Sequence, residues 1–111
     1  MARNIIDLPT LGDDGRLYRD TALDLVESLI PNPWESCHAP DLLELENGDL
    51  LCCWFAGSSE GNADISIAVA RLPAGASQWE QPVIVSDDPT RSEQNPSLFQ
   101  NPNGDIWLMY T

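Results

Sequence analysis

Proton transfer near neutral pH needs side chains that titrate there or can be tuned to do so, and this chain offers few. His38 is the only histidine among 111 residues, and imidazole changes charge between about pH 5 and 8. Glu60 and Asp64 lie in a Gly- and Ser-rich turn, GSSEGNAD. A carboxyl group held on such a loop can serve as general acid or base. The plainer readings are a hydrogen-bonded interior histidine and a solvated turn whose Asp64 caps the next strand. The amides of Gln94 and Asn95 both donate and accept, so they suit a polar ligand; they would equally tie down a loop. Arg71 could pair a ligand carboxylate or one of the many surface acids. Other chemistries find little footing. There is no P-loop, no Gly-rich dinucleotide turn and no His-x-x-x-His or Cys-x-x-Cys spacing. Ser58 and Ser59 lack a nucleophile-elbow context. No cofactor and no metal site is expected.

The element that must position these groups occurs twice. His38 to Trp54 reads HAPDLLELENGDLLCCW, and 56 residues later Gln94 to Tyr110 reads QNPSLFQNPNGDIWLMY. The two align without a gap: Pro40 on Pro96, Leu42 on Leu98, Asn47 on Asn103, Gly48 on Gly104 and Asp49 on Asp105. Asn-Gly between two apolar runs is the strongest short-range hairpin signal, and in its two-residue form both turn positions take positive φ. A hairpin recurring at a fixed period suggests a repeat architecture, and four-stranded propeller blades recur every ~40–50 residues. The alternative is two unrelated hairpins that share a turn.

The expected fold is all-β, a β-propeller of four-stranded antiparallel blades. Residues 1–35 form a lead-in, loosely packed through Asp20. Ala22 to Ile30 fits strand and helix periodicities alike, and its preferred use is as a strand that closes a propeller ring. Residues 36–88 make a first blade, with strands at 37–45, 49–56, 64–71 and 82–86. Residues 89–111 supply the first half of a second blade, truncated at Thr111. About one and a half blades cannot close a ring, so the chain reads as a fragment of a larger propeller. Alone it should self-associate through exposed blade faces.

Composition narrows the partners. The formal charge is −13, from 18 acidic residues against five basic ones. Such a surface repels phosphate, so neither nucleic acid nor an anionic membrane is expected as a partner. No apolar run approaches the ~18 residues of a membrane span, and the N-terminus carries no secretory signal. Cys37, Cys52 and Cys53 make a poor disulfide framework. Adjacent strand residues point to opposite faces, so Cys52 and Cys53 read as small apolar fillers. The expected location is cytoplasmic.

His38-Ala39-Pro40, the Asn-Gly-Asp hairpin, the acidic Gly-rich loop, the strand DISIAVAR and the following Trp79 resemble, in order and spacing, the first blade of the sialidase superfamily. More closely, they are similar to its BNR-repeat proteins, across about residues 36–111. That resemblance implies a six-bladed propeller that hydrolyses terminal sugars. The family uses a Tyr–Glu nucleophilic pair, an aspartate acid/base and three arginines that clamp a substrate carboxylate. Its first arginine falls on His38, and its aspartate loop corresponds to the turn that carries Glu60 and Asp64. The Asp-box turn survives here only as Trp79. Without that arginine, sialic acid is a doubtful substrate. The resemblance therefore implies an exo-acting glycoside hydrolase on terminal sugars of glycans, acidic ones among the candidates, with catalysis by His38, Glu60 and Asp64. Gln94, Asn95 and Arg71 would bind the carbohydrate. A polysaccharide lyase and a non-catalytic glycan-binding or scaffold propeller are the other readings. Inside blades, Trp54, Trp79 and Trp107 would fill space between sheets.

Overall fold

The computed structural model describes residues 5–8 and 11–111. The described residues form nine β-strands and no helix. β1 (Ile6–Asp7), β2 (Tyr18–Asp20) and β3 (Leu25–Glu27) make a small N-terminal sheet, in which β1–β2 is parallel and β2–β3 antiparallel. β4 (Ser36–Glu44), β5 (Leu50–Gly57), β6 (Ser66–Leu72) and β7 (Val83–Ile84) form a four-stranded antiparallel sheet in sequence order. β8 (Ser97–Gln100) and β9 (Ile106–Met109) form a separate hairpin.

The two hairpins share a loop geometry that explains the repeated residues. In β4–β5, the Gly48 amide donates to the Leu45 carbonyl (2.9 Å) and the Leu45 amide to the Asp49 carbonyl (2.8 Å). In β8–β9 the equivalent bonds run from Gly104 to Asn101 and from Asn101 to Asp105, each 2.9 Å. Only the glycines take positive φ, 91° at both Gly48 and Gly104; Asn47 and Asn103 do not. The loop is therefore the three-residue form, a type I turn followed by a left-handed glycine. The expectation that both Asn-Gly positions take positive φ is corrected. Local chemistry selects the longer loop. Asn47 Oδ1 accepts from the Asp49 amide (2.9 Å), and in the second copy Pro102 occupies the turn position that favours its fixed φ.

The four-stranded sheet is covered on both faces, as the apolar run of β5 requires. On one face lie Cys52, Trp54, Ala56, Ala68, Ala70 and Leu72, packed against Leu17, Trp79, Ile30 and Trp34. On the other lie Leu51, Cys53, Phe55, Ile65 and Ile67, covered by Leu98 of β8 and flanked by Leu108 of β9. Cys52 and Cys53 do separate to opposite faces. Burial pushes both thiols up to about 11, so at neutral pH they stay protonated and behave as apolar fillers.

Several expectations are corrected. Residues 15–18 are docked rather than loose: Gly15, Leu17 and Tyr18 are buried. The Leu17 amide donates to Ser77 O (3.0 Å) and the Trp79 amide to Gly15 O (2.9 Å). The apolar contact of Leu17 with the Trp79 layer secures this segment. The part of the lead-in at residues 1–4 and 9–10 lies outside the described residues. The segment 22–30, ambiguous between helix and strand, is a strand at Leu25–Glu27 paired with β2. The fourth strand shrinks to Val83–Ile84, because only two positions pair with β6. Trp107 is half exposed and stacks on Phe99, with centroids 5.8 Å apart, instead of filling an interior. No described helix is long and apolar enough to cross a membrane.

Candidate functional site

Antiparallel pairing fixes which residues share an end of the sheet. His38 faces Phe55 across β4–β5, and Ser66 faces Ala56 across β5–β6. The loop between β5 and β6 therefore rises beside the start of β4. It carries Glu60 to His38: Nδ1 and Oε1 stand 3.6 Å apart, with side chains 70% and 59% exposed. The imidazole meets the Phe55 ring in a T-shaped arrangement, centroid to centroid 5.6 Å at 75°. Asp64 closes the same loop, its Oδ2 accepting from the Ser58 amide (3.3 Å). Asn62 Nδ2 donates to Ser58 Oγ (3.0 Å). So His38 and Glu60 are in contact, and Asp64 anchors the loop that delivers Glu60.

A backbone feature that the sequence did not disclose aims His38. The β4–β5 register shifts between His38 and Asp41, and Ala39 within the bulge takes φ 54°. A bulge bends a strand and re-aims its side chains. At the matching place in the second copy, Asn95 takes φ 53°. Each of these residues precedes a proline, Pro40 or Pro96, which was the available sequence signal. Left-handed backbone in a non-glycine residue is uncommon, and such strain gathers at functional sites.

Gln94 and Asn95 stand at the same end of the second hairpin. β8 runs beside β4, tied to it where Asp41 Oδ2 accepts from the Leu98 amide (2.8 Å). Gln100 Oε1 accepts from the Glu46 amide (2.9 Å) at the other end. The Gln94 backbone pairs with Thr111 in both directions, and its side-chain Nε2 donates to Ser92 Oγ (2.9 Å). Beside it lies a residue that sequence reasoning passed over. Glu93 is 2% exposed, its Oε2 has no hydrogen-bond partner among the described residues, and its backbone amide donates to Ile65 O (3.1 Å).

The structure does not bring Arg71 to this group. Arg71 faces Leu51 at the opposite end of the sheet, where its Nη1 donates to Asp49 Oδ2 (2.8 Å). Asp49 is buried, and its Oδ1 accepts from the Ala74 amide (2.7 Å). That amide bond, helped by the Arg71 guanidinium and opposed by burial, holds the Asp49 carboxyl below its ordinary range. The arrangement ties the β4–β5 turn to the loop after β6. The stability it contributes is fully present above the unfolded value of about 3.9 and lost as pH falls through the lower folded value. Asp49→Asn should therefore flatten the acid limb of a stability–pH curve measured by denaturant unfolding. An unchanged acid limb would rule out this role.

Among the described residues, no three His, Cys, Asp or Glu side chains gather as a metal cluster. A cleft of about 660 Å³ opens between residues 28–32 and the β4–β5 face, with His38 on its lining.

A family model described as a BNR repeat-like domain matches residues 48–111. Neither a curated protein nor a solved structure matches the chain. The matched stretch covers more than half of the sequence and contains Gly48, β5–β7 and the whole β8–β9 hairpin, so the chain belongs to the BNR repeat-like domain family.

Proposed function

We propose that the chain is part of a sialidase-like, carbohydrate-active β-propeller whose His38, Glu60 and Asp64 meet the glycosidic bond of a terminal, acidic sugar. The supporting observation is the approach of His38 Nδ1 to Glu60 Oε1 at one end of the sheet, in a chain of a repeat family found in sialidase-like proteins. In this reading a carboxylic acid, Glu60 or Asp64, protonates the leaving oxygen. His38 donates to the ring substituent or carboxylate of the sugar. Gln94 and Asn95, at the same strand ends, pair with hydroxyls. Arg71, engaged with Asp49, stays out of the site.

A second reading, non-catalytic glycan binding, draws on the openness of the group, with both His38 and Glu60 more than half exposed. The single histidine supplies the test, because it gives one imidazole signal in NMR. Uronic acids, neutral hexoses and labelled oligosaccharides would be titrated while that signal and product formation are followed. Binding should move the His38 signal, and Glu60→Gln or Asp64→Asn should slow turnover by about 10²–10⁴-fold. Binding without turnover, indifferent to both substitutions, would favour the binding module. An ultraviolet-absorbing product would mark β-elimination instead. If no carbohydrate moves the signal, the reading falls.

A further inference from the structure

The cleft between residues 28–32 and the β4–β5 face is lined by two residues whose buried polar atoms find no partner among the described residues. Trp54 is 6% exposed and its indole Nε1 has no hydrogen-bond partner among the described residues; the hydroxyl of Ser28 is likewise buried and unpartnered. Both residues line the cleft. A buried N–H left unpaired is costly, and native structures almost always supply a partner. Leu29, Ile30, Pro40 and Cys52 supply apolar wall, the last a neutral thiol because burial raises its pKa, while Asp13, Asn32, Cys37 and His38 complete the lining. About 660 Å³ of space is within the range of small-ligand sites, which pair apolar walls with a few converging polar groups.

We propose that this cleft binds a neutral ring compound whose carbonyl or ether oxygen accepts from Trp54 Nε1 and Ser28 Oγ. The indole can only donate, so the ligand must bring an acceptor. Trp34 meets Trp54 edge-on, with centroids 6.4 Å apart, and adds aromatic surface near the cleft. An anionic ligand is disfavoured by Asp13 on the lining and by the −13 formal charge of the chain. The cleft shares His38 with the proposed carbohydrate site, but the argument for it stands on Trp54 and Ser28 and does not depend on that reading.

The test uses two probes of one shape, cyclohexanone and methylenecyclohexane, which differ only in the acceptor. With ¹⁵N-labelled tryptophan, the Trp54 indole signal is assigned by its loss in Trp54→Phe. Cyclohexanone should move that N–H signal downfield and bind about 2- to 10-fold more tightly than methylenecyclohexane, the preference one net hydrogen bond confers. Ser28→Ala should reduce the preference while leaving the indole signal in place, which keeps the test decisive if Trp54→Phe does not fold. Equal binding of the two probes, or binding that leaves the Trp54 signal unmoved, would overturn the proposal. So would the absence of binding by either probe.

Discussion

Phe55→Ala should destabilise the chain by about 3–5 kcal/mol, the range for truncating a buried phenylalanine. Phe55 is 1% exposed and is among the largest fully buried side chains. It packs with Cys53, Ile65, Ile67 and Leu98 on the face where β8 closes over the four-stranded sheet. Removing the ring opens a cavity at the junction between the sheet and the hairpin, where neither can collapse without breaking strand pairing. Total stabilities of small domains are about 5–15 kcal/mol, so the loss is a large fraction of the whole. The same ring meets His38 in a T-shaped contact, so the imidazole signal should lose its ring-current shift as well. Urea unfolding of the variant beside Val83→Ala is the measurement. Val83 is 57% exposed, and its truncation should change stability by less than about 0.5 kcal/mol. Similar losses in both variants would show that the junction is not packed as described.

Gly57→Ala should cost about 1–3 kcal/mol through overpacking and should disturb the candidate site directly. A Cβ built on Gly57 would stand 2.8 Å from Ile65 Cδ1, 2.9 Å from the Asp64 carbonyl oxygen and 3.1 Å from Ile65 Cα. Two of those three atoms are backbone, so the β5–β6 loop must move as a unit rather than a side-chain tip turning aside. That loop carries Glu60 and is anchored by the Ser58 amide on Asp64. Amide chemical shifts of residues 58–64 should move, while those of the distant turn at residues 101–105 should not. Carbohydrate binding, if the proposed function holds, should weaken with the same substitution. Unmoved 58–64 resonances at unchanged stability would mean that the close approach of Gly57 to the loop is not maintained in solution.

Local physics was legible in the residues themselves. Period-two alternation placed Cys52 and Cys53 on opposite faces, and DISIAVAR sorts into one face carrying Ile65, Ile67 and Val69 and another carrying Ala68 and Ala70. The repeated Asn-Gly-Asp located both hairpins, because a glycine at left-handed φ is a local requirement. The turn class was missed, since Asn-Gly serves two loop lengths and side-chain bonds from Asn47 and Asn101 choose between them.

What tertiary structure decided lies across longer separations. Ala22 to Ile30 fits two periodicities over so short a run, and pairing with β2 settles it as a strand. The lead-in looked polar and loose, yet a buried contact between Leu17 and the Trp79 layer holds it. Arg71 met Asp49 rather than a ligand, because strand register, invisible in composition, sets it opposite Leu51 at the far end of the sheet. His38 and Glu60 are 22 positions apart in the chain. Their side-by-side placement needs the β4–β5 pairing, the bulge at Ala39 and the loop anchored by Asp64 together. Residue types and spacing thus located the blade strands and both hairpins and supplied the list of titratable candidates. Register and packing, which sum weak interactions over the whole molecule, chose which of those candidates meet.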